Sequence, residues 1–309
     1  MANIIDISGE AKNLDCAFWI GKGKKYPSNP PPDLIAYCDS LYDISDTWMK
    51  KLLPQKDMPI DTFISWKLPS TKSTLVDISA HGCFLLEMPS ENPESLLARS
   101  IPSKLFILDA KLALNQRILD GCRSLHDPNY KGKPLPLWSI QIWERLHEAA
   151  DAQKLWKGVD RWLQTHTDNS ARRAAIKECQ GYLKTVGWNS RLNIPAGRAD
   201  VSDLAPMLAD AMIGGDIVDL MTESLSLKVK ANKESREYEV VALKFMDEVG
   251  KLWKERNKAP VSSKILMELE SSLKTSKRTN LLFPVHLPNE KHYVGFKINF
   301  EEKAISYGE

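Results

Sequence analysis

The sequence predicts an α+β protein in which a helix-rich N-terminal region precedes a domain closed by a short antiparallel sheet. Two patterns carry that expectation. Between residues 103 and 186 apolar side chains recur mostly at spacings of three and four, the period of a helix with one buried face. Between 281 and 307 apolar runs alternate with polar residues or glycine and are broken by Pro, Asn and charged residues, as strands and turns require. With 309 residues and 43% apolar composition, the chain can bury one large or two medium cores.

Residues 1 to about 33 combine Gly21-Lys-Gly-Lys-Lys25 with the successive prolines Pro30 to Pro32, and read as an extended surface segment. Those glycines lack the spacing and the terminal Lys-Ser/Thr of a phosphate loop. Short runs at 34–42, 47–53, 62–68, 74–78 and 82–88, bounded by Pro, Asp or Ser, suggest a small α+β module within 1–93.

Helices are expected next. The first covers 103–125, with Leu105, Leu108, Leu112, Ile118, Leu119 and Cys122 as its apolar stripe. The Pro- and Gly-rich 127–136 reads as a loop. Helices at 137–165 and 170–186, joined by Thr167-Asp-Asn-Ser170, form a Trp-rich hairpin within a helical region 94–192. Trp138, Trp143, Trp156 and Trp162 could make a stacking platform for bases or a peptide-binding stripe; at helical spacing, core is the expectation.

Asn193-Ile-Pro-Ala-Gly-Arg198 reads as a linker, so a last domain is placed at 193–309. There Gly214 and Gly215 feed a helix capped by Asp216 and carrying Ile217, Leu220, Met221 and Leu225. Further helices follow at 234–253 and 262–273. Leu281 to Leu287 and Tyr293 to Ile298 read as strands, Asn299-Phe-Glu-Glu-Lys303 as a turn, and Ala304 to Tyr307 as an antiparallel return. The meander's central strand begins at His292. A histidine at a strand start beside a loop is placed to act as a general base, and equally to be a side chain satisfied at a turn, which is the commoner case.

Phe283-Pro-Val-His-Leu287, then His292-Tyr-Val-Gly-Phe-Lys-Ile-Asn-Phe300, then Ile305-Ser-Tyr-Gly308 resembles the His-proximal segment of the SUMO (ubiquitin-like-protein) cysteine proteases. That family has an apolar strand, a His followed by an aromatic, a strand, a polar turn, and a Tyr-x-Asp-Ser step bearing the catalytic Asp. By this resemblance His292 is the catalytic base, Tyr293 the aromatic, and Glu309 stands where the Asp is expected. Met212-Ile-Gly-Gly215, ahead of the helix with Ile217 and Met221, is similar to the family's Trp-Leu-x-Asp segment. The family's Trp covers the channel for the substrate's Gly-Gly tail, so Met212, Gly214 and Gly215, together with Tyr293, are implied substrate-binding residues.

What the resemblance implies for fold is a partial papain-like, adenain-like cysteine-protease domain. For function it implies a SUMO- or ubiquitin-like-protein-specific peptidase by descent, whose nucleophilic Cys would follow the Asp in chain order. No Cys follows His292, and a thiol protease needs thiolate, base, orienting group and oxyanion donors together. This polypeptide is therefore expected to be an incomplete, inactive enzyme. Its strand 304–307 should lie at an open sheet edge. The alternative is a non-catalytic module that binds a ubiquitin-like modifier or another protein.

A net charge of +2 argues against a general nucleic-acid binder. The absence of a long apolar run and of a basic-then-apolar leader argues against a membrane protein and for an intracellular one, nuclear or cytoplasmic. The five cysteines, Cys16, Cys38, Cys83, Cys122 and Cys179, include no C-x-x-C pair and have no His at ligand spacing, so no metal site and no cofactor are expected.

Overall fold

A computed structural model describes residues 18–71, 79–166, 173–192, 200–208, 214–232, 235–255, 263–287 and 292–308. The protein mixes helices with two small sheets, as an α+β chain should. It divides into two compact units, 1–154 and 155–309, the division falling inside a 27-residue helix.

In the first unit, α1 (Pro32–Tyr42), α2 (Asp46–Leu52) and α3 (Ile60–Ser65) take up the first three short runs. Of the remaining two, 74–78 lies outside the described residues, and 82–88 becomes a 3-10 turn at Ala80–Cys83 leading into β1 (Phe84–Leu85). The described part of the expected N-terminal surface segment is tied down: Gly21 N–H donates to Leu119 O at 2.8 Å and Gln116 bridges Tyr26 N–H and Lys24 O.

The helix expected at 103–125 is α4 (Lys104–Leu119), whose N-cap Ser103 accepts from Phe106 N–H. Of the expected stripe, Ile118, Leu119 and Cys122 are buried, but the rest of the buried face is a different one. Phe106, Ile107, Ala110, Ala113, Leu114 and Ile118 are buried, whereas Leu105, Leu108 and Leu112 are 72%, 55% and 78% exposed.

The stretch 127–136 is no loop. It supplies β3 (Tyr130–Pro136), paired antiparallel with β2 (Ser124–Asp127) in a sheet of order β1-β2-β3. Pro134 and Pro136 are tolerated because β3 is the sheet edge, where a missing N–H leaves no ladder bond unmade. A Cβ at Gly132 would stand 2.6 Å from the Tyr130 ring, so any larger residue there would displace that ring.

The long helix, α5 (Ser139–Thr165), places Ile140, Ile142, Trp143 and Leu146 in the first unit's core. Trp143 and Trp156 are buried, as the core expectation requires. Trp138 stands just before the helix, half-buried and stacked on Trp48 at 6.2 Å, and Trp162 stacks on His166 at 4.3 Å. Gln153 donates from Nε2 to Phe63 O and Trp66 O, both at 2.8 Å, anchoring the end of α3.

In the second unit, α6 (Arg173–Leu183) buries Ile176 and Leu183; the hairpin turn expected at 167–170 lies outside the described residues. So does the linker 193–198, but its flanks are joined: Arg191 and Asp200 form an antiparallel bridge, and Val201 N–H donates to Ser190 O. After α7 (Ala205–Leu208) and α8 (Gly215–Ala231), the expected helix 234–253 is divided. Its first part is a strand, β4 (Tyr238–Val240), and only the rest is helical, α9 (Lys244–Glu255). The buried Glu239 in β4 is held by Arg278 and Ser272, which resolves the cost of a carboxylate in a sheet core.

Then come α10 (Lys264–Ser276), β5 (Asn280–Leu287), β6 (His292–Asn299) and β7 (Ala304–Gly308). The sheet order is β4-β5-β6-β7, with β4 parallel to β5 and the rest an antiparallel meander. Asn299 Oδ1 accepts from the N–H groups of Glu301 and Glu302, and Lys303 takes φ 53°, closing the β6–β7 turn. On one sheet face Leu281, Phe283, Phe296 and Ile298 pack with Phe245, Met246 and Val249 of α9 and with Leu266 and Leu269 of α10. Helix α8 lies against β4 and β5.

Candidate functional site

His292 is the first residue of β6, opposite Leu287, and its side chain is exposed. Among the described residues it makes no hydrogen bond and no ion pair, so nothing there orients its ring or fixes its tautomer. Glu309, the expected orienting carboxylate, lies outside the described residues, as does Met212.

Two of the other expected residues, Gly215 and Tyr293, come together. Tyr293 is half-buried and stacks on its cross-strand partner His286, with centroids 4.7 Å apart. Gly215 opens α8 beside it: a Cβ there would stand 3.8 Å from the Tyr293 hydroxyl and 3.6 Å from Leu243 Cδ1. Leu243 is positioned in turn by α8, its N–H donating to Asp219 Oδ1 at 2.8 Å. Gly214 is the N-cap, and its carbonyl accepts from Ile217 and Val218 N–H. Asp216 is not the cap; it sits in the first turn, where a carboxylate favours the positive end of the helix dipole.

Four cysteines lie among the described residues. Cys38, Cys83 and Cys122 are buried in the first unit, and burial pushes the Cys83 and Cys122 thiols up, away from the thiolate. Cys179 lies on α6, half-exposed, and Cys16 is outside the described residues. Among the described residues no three His, Cys, Asp or Glu side chains are grouped to hold a metal, and no helix is long and apolar enough to cross a membrane.

One feature escaped the sequence reading. A groove of about 550 Å³ lies between α8 and the sheet, walled by Thr222 and Leu225 and floored by Leu282, Lys297, Ser306 and Gly308. Its signal was the run of small residues at alternate positions, Gly295 on β6 and Ser306 and Gly308 on β7, which leave a sheet face uncovered.

Compared with known protein families, with curated proteins and with solved structures, the chain matches none.

Proposed function

We propose that the C-terminal domain is a ubiquitin-like-protein-protease-like domain, papain-like or adenain-like in descent, that serves as a modifier-binding module rather than as a peptidase. The observation that carries this reading is the meeting of Gly215 with Tyr293. Gly215 and Tyr293 come from the two segments that separately resemble the family, far apart in sequence. These 309 residues by themselves are expected to lack peptidase activity, since all five of their cysteines precede His292 and burial disfavours the thiolate at Cys83 and Cys122.

Titration of the full chain with SUMO and with ubiquitin, followed by NMR, should perturb residues near Gly215 and Tyr293, and a vinyl-sulfone modifier probe should leave the chain unlabelled. Absence of binding to any ubiquitin-like modifier would sink the reading. Probe labelling abolished by His292→Ala would instead favour the second reading, an active cysteine peptidase with His292 as base.

A further inference from the structure

In the first unit Arg99 closes a 3-10 turn, Pro93–Ala98, and stands between two carboxylates. Its Nη2 lies 3.2 Å from Glu91 Oε1 and donates to Ser95 Oγ at 2.7 Å, while its Nη1 faces Asp127 Oδ2 at 3.8 Å. The guanidinium covers the Tyr130 ring, 4.1 Å from its centroid. All three charged side chains are withdrawn from solvent: 12% exposed at Arg99, 17% at Glu91 and 1% at Asp127.

The two sides of Arg99 differ. Toward Glu91 and Ser95 its contacts are made, whereas Arg99 Nη1 and Asp127 Oδ2, both buried, have no hydrogen-bond partner among the described residues. A bare oxygen on an ionised carboxylate is costly at such a site. A slide of about 1 Å would bring Nη1 to the short contact that an ionised pair adopts. A neutral carboxyl exerts no such pull, so the observed arrangement suits neutral Asp127. Because the guanidinium is a rigid fork, moving Nη1 onto Asp127 draws Nη2 away from Glu91 and shifts the cation over Tyr130.

Through Glu91, Arg99 also holds the cover of a sheet edge. Glu91 Oε2 accepts from Lys133 N–H at 3.1 Å, and the N–H groups of Ser90 and Glu91 both donate to Pro134 O. Segment 90–91 is thereby fastened along β3.

We propose that Arg99 is a two-position latch worked by the protonation of Asp127: neutral Asp127 leaves it on Glu91, and ionised Asp127 draws it across and loosens segment 90–91 from β3. Around Asp127 stand Arg99, with Glu91 beyond it, the Cys83 thiol from the turn before β1, and on the hairpin Asn129 N–H and the cross-strand Tyr130. Burial and Asp127 push the Cys83 thiol up, so it stays neutral. His126, the neighbour on β2, has a buried Nδ1 without a partner among the described residues and is controlled for in the test. Burial raises the Asp127 pKa against the pull of Asn129 N–H and Arg99, so the held position persists to higher pH than an exposed aspartate would allow. The output is at the surface, since Tyr130 is 51% exposed. None of Gly215, His292 or Tyr293 takes part, so the latch stands or falls apart from modifier binding.

The test is an NMR titration of the full chain from acid to neutral pH, following the Asp127 carboxyl carbon, the Tyr130 ring and Lys133 N–H. Tyr130 and Lys133 should shift with the midpoint of Asp127. Protection of Lys133 N–H, corrected for the intrinsic pH dependence of exchange, should fall about tenfold as pH rises through it, the worth of one hydrogen bond to a charged group. Asp127→Asn should keep the high protection throughout and abolish the Tyr130 shift. Arg99→Lys, which keeps the charge and loses the fork, should leave Asp127 titrating with Tyr130 unmoved. His126→Gln should leave the coupled transition in place. Circular dichroism and thermal melting check that the variants fold, and the parent titration decides by itself where one does not. An Asp127 that titrates while Tyr130 and Lys133 stay still, a transition that survives Asp127→Asn, or one that is lost in His126→Gln would each overturn the proposal.

Discussion

Gly215 and Tyr293 approach as a helix start and a strand start with only hydrogen at the point of contact: a methyl group would fit, 3.8 Å from the Tyr293 hydroxyl. That distance is ordinary van der Waals contact, and the Gly215 backbone is helical. Gly215→Ala should therefore stabilise the fold by about 0.4–1 kcal/mol through the lost freedom of the unfolded chain. Urea unfolding reads the gain, and modifier binding on the same variant should weaken because the space is taken.

Trp156 is buried, with its indole Nε1–H lacking a hydrogen-bond partner among the described residues. Trp156→Ala should cost about 3–5 kcal/mol for the cavity and lost apolar contact. Trp156→Phe should cost much less, since it keeps most of the ring volume and removes the unsatisfied donor. Unfolding midpoints of the two variants check the order; equal losses would contradict it.

Asp127 makes the first unit's stability depend on pH. Burial raises its pKa above the ordinary carboxylate value, opposed by the Asn129 N–H and by Arg99, whose Nη1 lies 3.8 Å away. The folded state thus holds this proton more tightly than the unfolded state does. Its contribution is most favourable below the unfolded pKa and is lost as pH rises through the raised folded value. Asp127→Asn keeps an acceptor for Asn129 N–H and removes the titration. Urea midpoints across the acid range should slope downward with pH in the parent and more weakly in the variant.

Hydrogen exchange should separate the sheet edge from the core. Every residue of β7 is exposed, whereas α5 carries the buried Trp143, Leu146 and Trp156. Amides on the outer side of 304–308 should exchange early by local opening while those of α5 wait for global unfolding. Equal protection in a monodisperse monomer would show that the edge is covered.

The C-terminal meander was legible because its strands alternate and its turn has Asn299 ahead of two acceptor-seeking N–H groups. β4 was not: three residues with a glutamate in the middle carry no strand period, and Glu239 is made tolerable by Arg278 and Ser272, both distant in sequence. β3 was hidden by its prolines, which mark a loop unless the strand happens to be an edge. Leu105, Leu108 and Leu112 have helical spacing, but so do the residues on α4's other flank, and only tertiary packing chose between them. The site was half legible for the same reason. Residue types placed His292 at a strand start, while the nearness of Gly215 to Tyr293 and the groove at Lys297 depend on how α8 meets the sheet.

The mixed direction of the second sheet sets an order of assembly. Only four residues separate β5 from β6 and β6 from β7 in the sequence, so each pairing closes a small loop soon after its residues are available. The parallel partnership of β4 with β5 must wait for the chain to return through α9 and α10. Non-local pairing of this kind is slow because its closure entropy is lost before any contact is gained. Refolding followed by pulse labelling should protect amides of 281–298 before those of 238–240. Val240→Ala, made in the strand that arrives last, should then speed unfolding and leave the folding rate nearly unchanged.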